Sequence, residues 1–141
     1  MVSFHIAYTA PINLPSASPT LTREQVWAGL ERKIRHAEEF VPAITGCTVL
    51  SENSDEVVRE LEFKPGFGPP GKVREVCRSF APSWVDFEQA DGSTIKNVVS
   101  DGPSGELFMT YVFEWRHAEL QGGSEEAKKV EEKHSKVRSF V

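Results

Sequence analysis

Residues Gly105 to His117 read "GELFMTYVFEWRH". Successive side chains of an extended strand point to opposite faces. Leu107, Met109, Tyr111, Phe113 and Trp115 therefore share one side, and Phe108, Thr110, Val112, Glu114 and Arg116 share the other. The first set is large and apolar throughout, which predicts a strand with one face against a core. Two readings of this stripe stay open. It is ordinary packing, or it is a wall of a ligand site in which Tyr111 and Trp115 turn their polar tips toward a bound molecule.

Upstream of this strand, the same β-like pattern recurs over Ile44–Leu50, Val57–Phe63, Val73–Phe80, Trp84–Glu88 and Thr94–Ser100. The connections "SENSDE", "APS", "QADGS" and "SDGPSG" are short and rich in turn formers. Short connections favour antiparallel neighbours, so a meander is expected. An earlier strand, Val2 to Ile12, alternates Phe4, Ile6 and Tyr8 with polar or small residues. After "LPSASPT" the chain enters "LTREQVWAGLERKIRHAEEFVP". Thr22 followed three residues on by Gln25 is a capping box, and Val26, Leu30, Ile34 and Ala37 recur at helical intervals. A helix is expected there, broken near Arg35 and ended by Pro42. The final stretch places Ala127, Val130, His134, Val137 and Val141 at 3–4 spacing behind a capping Ser124, an amphipathic terminal helix.

"FKPGFGPPGK", Phe63 to Lys72, holds three glycines, three prolines and two lysines. A phosphate-binding loop leads into a helix and ends Lys-Ser/Thr. Here Lys72 is followed by Val73 and a strand-like run, so the stretch reads as a hairpin loop, with Phe67 at its tip as a candidate guard of a pocket entrance.

Whole-chain properties narrow the function classes. At 141 residues, with 39% hydrophobic and 26% charged residues, the chain fits a single domain spanning 1–141. A formal charge of −5 argues against nucleic acid or anionic lipid as partner. Cys47 and Cys77 lack zinc or redox spacing, so both are expected to be reduced, buried and inert, and no metal site is expected. The N-terminus lacks the pattern of a signal peptide, and no segment approaches the ~20 apolar residues of a membrane span. A cytoplasmic protein, monomeric or homodimeric, without membrane insertion, is the expectation.

Strand alternation also sends polar groups inward. Arg59 shares a face with Val57, Leu61 and Phe63; Glu75 shares one with Val73 and Cys77; Asn97 shares one with Ile95 and Val99. A buried arginine without a partner costs several kcal/mol, so an Arg59–Glu75 pair across adjacent strands is expected. That pair is either structural or ligand-orienting. His134 faces the same choice between a satisfied structural histidine and an acid–base group in a pocket. Serine-hydrolase, zincin, dinucleotide and P-loop motifs are absent.

The chain resembles the helix-grip proteins of the START and birch-pollen-allergen (SRPBCC) superfamily, and within them the AtaL-like branch of fungi and bacteria. The residues that carry the resemblance are "YTAPIN" (8–13), "LTREQVWAGLERK" (21–33), "FVPAITGCTVL" (40–50), "VVRELEF" (57–63), "VREVC" (73–77), "IKNVVS" (95–100), "GELFMTYVFEWRH" (105–117) and "GSEEAKK" (123–129). The resemblance implies an α+β fold: a curved seven-stranded antiparallel sheet around a long C-terminal helix, with a short helical segment after the first strand. It implies an apolar cavity holding a hydrophobic small molecule, and secondary-metabolite tailoring without a cofactor. On that reading Leu107, Met109, Tyr111, Phe113, Trp115, Asn97, Phe67 and Val130 contact the ligand. Arg59 holds a carbonyl or enolate oxygen, and Glu75 or His134 moves a proton during a cyclisation, isomerisation or dehydration. Two other readings are a non-catalytic carrier of a lipid or aromatic ligand, and a co-chaperone-like module using Phe108 and Trp84 as an interface.

Overall fold

A computed structural model of the protein describes residues 2–16 and 18–117. The expected terminal helix, with Val130 and His134, lies outside the described residues. The elements run β1 (Val2–Pro11), α1 (Arg23–Arg35), one 3-10 turn (Ala37–Glu39), β2 (Ile44–Glu52), β3 (Glu56–Phe63), β4 (Lys72–Phe80), β5 (Trp84–Gln89), β6 (Thr94–Asp101) and β7 (Leu107–His117). Seven strands form one antiparallel sheet in the order β1-β7-β6-β5-β4-β3-β2. Strands β2 to β7 are the expected meander, and β1 closes onto β7 from the other end of the chain. The predicted helix break falls at His36, between α1 and the 3-10 turn.

α1 begins where its sequence sets it. The Thr22 hydroxyl accepts from the Gln25 amide while the Gln25 side chain accepts from the Thr22 N–H. Its buried stripe, Val26, Leu30 and Ile34, packs on Val57, Cys77, Val85, Phe87 and Val99 of the sheet, and Leu107 and Met109 flank this core. At about 25 cal/mol per Å² of apolar surface removed from water, this contact is the main attraction holding helix to sheet.

Two arginines fasten the ends of α1. Arg23 at its start donates to the carbonyls of Pro82 and Val99 and pairs with Asp101 at 2.8 Å. Arg59 of β3 donates to the carbonyls of Lys33 (3.0 Å) and Ile34 (2.7 Å) in its last turn. Those carbonyls have no partner within the helix and carry the negative end of its dipole, so a buried cation there satisfies both needs.

The 63–72 stretch is the β3–β4 hairpin loop. Gly71 adopts φ +77°, which only glycine reaches without strain. A Cβ on Gly68 would stand 2.5 Å from the Phe63 ring, so the loop folds back over that ring only because this residue has no side chain.

Candidate functional site

Register places the inward polar residues in two rows of the inner face, separated by one apolar row. In one row Arg59 pairs with Glu75 and Glu75 with Gln89. In the other Val85 pairs with Asn97, Asn97 with Tyr111 and Tyr111 with Tyr8. Between them runs Cys77–Phe87–Ile95–Phe113–Ile6. The site is thus a band across β1 and β3 to β7, roofed at one end by the last turn of α1.

Arg59 and Glu75 are 3% and 1% exposed. Arg59 Nε donates to Glu75 Oε1 at 3.0 Å, and Nη2 donates to the same oxygen. Gln89 Nε2 approaches Glu75 Oε2 at 3.4 Å, and the guanidinium lies 5.0 Å from the centre of the Phe87 ring. Burial is the largest single influence and works against the Arg59 charge, but the charge and hydrogen bond of Glu75, with Cys77 and Cys47, together offset it, and the guanidinium pKa stands above its ordinary value. Nε, Nη1 and Nη2 all donate within the fold. The pair thus links β3, β4 and the last turn of α1.

Asn97, 1% exposed, is organised differently. Its Oδ1 accepts from Lys33 Nζ at 2.8 Å, whereas its Nδ2 is buried and finds no hydrogen-bond partner among the described residues. The Lys33 donor requires an acceptor opposite it, which fixes the carboxamide orientation. Lys33 Nζ also lies 5.5 Å from the Tyr111 ring centre and 5.9 Å from that of Phe87. Burial, and then the Arg59 charge, lower its pKa to about 8, with Glu75 acting in the opposite sense. Burial and the neighbouring Tyr8 raise the Tyr111 pKa.

The apolar wall follows the alternation. Phe113 is buried, Leu107, Met109, Tyr111 and Trp115 are half-buried, and Phe113 stacks on Trp115 with ring centres 5.9 Å apart. Phe67 is 51% exposed on the β3–β4 loop. Cys77 is buried, and burial pushes its thiol up to about 12, which keeps it protonated. Cys47, expected to be buried, is only half-buried, because its strand β2 is an edge with two register shifts. On the outer face Trp84 stacks on Phe80 and carries Lys96 over its ring. Among the described residues, no cluster of His, Cys, Asp or Glu is placed to hold a metal, and no helix is long and apolar enough to cross a membrane.

The residue that the periodicity argument missed is Lys33. Its signal is present: Val26, Leu30, Lys33 and Ala37 are spaced 4-3-4, so the lysine sits on the core stripe of an amphipathic helix.

A model of the family described as "Acetylaranotin biosynthesis cluster protein L", AtaL, matches residues 6–140. The chain belongs to the AtaL family. A relative bearing that same description, from Aspergillus terreus (strain NIH 2624 / FGSC A1156), is 31% identical over 137 residues, covering 96% of this chain and 80% of the relative. Among solved structures, the ZhuI aromatase/cyclase from Streptomyces sp. R1128 superposes with a TM-score of 0.66 at 15% identity, over 98% of this chain and 86% of the other. A START superfamily protein from Mycobacterium smegmatis gives 0.64 at 7% identity, over 96% and 90%. The di-domain ARO/CYC StfQ from the steffimycin biosynthetic pathway gives 0.66 at 10% identity over 97% of this chain; this AtaL-family chain spans only 45% of that protein. At these identities the structural matches establish the fold, which is START-like helix-grip, and nothing finer.

Proposed function

We propose that this AtaL-family protein receives a hydrophobic polyketide- or peptide-derived intermediate on the inner face of its sheet and promotes its cyclisation, isomerisation or dehydration without a cofactor. The observation that carries the reading is the inner face of β6 and β7, where an aromatic wall adjoins the buried Asn97, itself bonded to the half-buried Lys33 of α1. The biosynthesis-cluster relative and the aromatase/cyclase-like fold support the same class of ligand.

In this proposal Leu107, Met109, Tyr111, Phe113 and Trp115 fold and desolvate the ligand, so that reacting atoms within one flexible chain meet at high effective concentration. Arg59 and Glu75 act by position, holding the last turn of α1 and hence Lys33 against the sheet. Proton transfer is assigned to His134, and ligand contact also to Val130 and Phe67. The site then needs no nucleophile, since an enolisable substrate supplies its own.

The test is native mass spectrometry of freshly purified protein, followed by incubation with a panel of β-polyketone thioester analogues and re-extraction. A captured compound released lighter by one water, or as a cyclised isomer, supports the reading. Failure to capture any apolar compound overturns it. Because Arg59 and Glu75 already satisfy one another, a second reading, a non-catalytic carrier, predicts that the captured compound leaves with its mass and connectivity unaltered.

A further inference from the structure

The interior holds an unbalanced set of charges. Arg59 and Glu75 neutralise each other as a buried pair. Lys33 brings a second cation to the same region, and among the described residues no carboxylate lies within ion-pair distance of its Nζ; its close partner is the neutral Asn97 amide. The same amide keeps a buried N–H group, Nδ2, without an acceptor among the described residues. Each feature carries a cost, since a half-buried cation gains from a counter-charge and a buried donor wants an acceptor. Both are relieved at once by an oxygen carrying negative charge and seated beside the carboxamide.

We propose that Lys33 and Asn97 together form the seat for one anionic oxygen of the ligand, a carboxylate or a phenolate/enolate borne on an aromatic or apolar body. The inference rests on the hydrophobic-ligand reading above and narrows its chemistry. Lys33 supplies the charge and Asn97 Nδ2 a directed hydrogen bond. The Tyr111 ring, already under the Lys33 ammonium, and the apolar wall take the ligand body. An amide donor beside an ammonium favours the charged ligand over its neutral isostere, because a neutral oxygen can accept from Asn97 Nδ2 but brings no counter-charge to Lys33.

Matched ligand pairs test this without requiring any variant to fold. Dissociation constants at pH 7 are measured for 2-naphthoate against 2-naphthamide. They are also measured for a naphtholate bearing an electron-withdrawing group, ionised at that pH, against its methyl ether. At least a tenfold preference for the charged member of either pair is expected, and which pair shows it tells a carboxylate ligand from a phenolate one. In Lys33→Met and in Lys33→Gln, the ratio of charged to neutral affinity should fall to within about twofold. Charged and neutral members binding equally, or a preference that survives both substitutions, overturns the anionic seat and leaves the hydrophobic-ligand reading intact. No binding by any of the four compounds overturns both.

Discussion

Arg59 has little freedom once β3 pairs with β4: register puts Glu75 directly across from it, and the last carbonyls of α1 come down on its other edge. Removing one partner strands the other charge in the interior. Arg59→Met should lower the unfolding free energy by about 3–5 kcal/mol in urea denaturation, whereas Arg59→Met with Glu75→Leu should recover much of that loss. Lys33 makes the opposite contribution. Its pKa is lowered from 10.5 to about 8, so between those values the unfolded chain binds a proton that the folded chain has shed, and stability rises with pH. Cys77 acts with the reverse sign: its thiol is raised from 9.0 to about 12, so above pH 9 the folded chain keeps a proton that the unfolded chain loses. The Lys33 effect therefore stands clear of the Cys77 effect only between pH 8 and 9. Ligand-free protein should gain about 1 kcal/mol across that window, and Lys33→Met should abolish the gain. An equal rise in the variant would show that another group titrates there.

At the scale of the element, α1 is a helix whose ends are set by different interactions. Thr22 and Gln25 start it locally, and Thr22→Ala should cost about 1 kcal/mol with no change in the far-UV spectrum of the folded state. Its far end is held from β3, so a change at Arg59 should release amide-exchange protection in the last turn before the first. The β3–β4 loop is set by close approach. Gly68→Ala should cost about 1–3 kcal/mol, because the added methyl meets the Phe63 ring and the loop must lift. A midpoint unchanged within error would mean that the ring simply turns aside. Capping boxes, turn residues and strand alternation are written in neighbouring residues, which is why the described elements start and stop within a few residues of their expected positions.

For the whole molecule, the proposed binding of a ligand on the aromatic inner face predicts coupling between ligand and fold. A compound bound only by the folded state should stabilise it by about 2.7 kcal/mol at a hundred times its dissociation constant. That gain should shrink for Tyr111→Ala, which removes the ring beneath Lys33. Much of the architecture was legible from one chain. The inward set Leu107 to Trp115, the Arg59–Glu75 pair and the single helix break all follow from period 2 or period 3.6, and each is a property of residues close in sequence or in adjacent strands. Periodicity says which face a side chain shares, but not which distant group it meets there. That Arg59 spends its donors on α1, that β1 closes onto β7 rather than β2, and that Lys33 reaches Asn97 sixty-four positions away depend on how helix and sheet are superposed. Those superpositions are fixed by burial of non-local apolar surface. Local sequence therefore determined the elements and their faces, and only tertiary packing decided which charges of the inner face are neutralised and which, among the described residues, meets only a neutral amide.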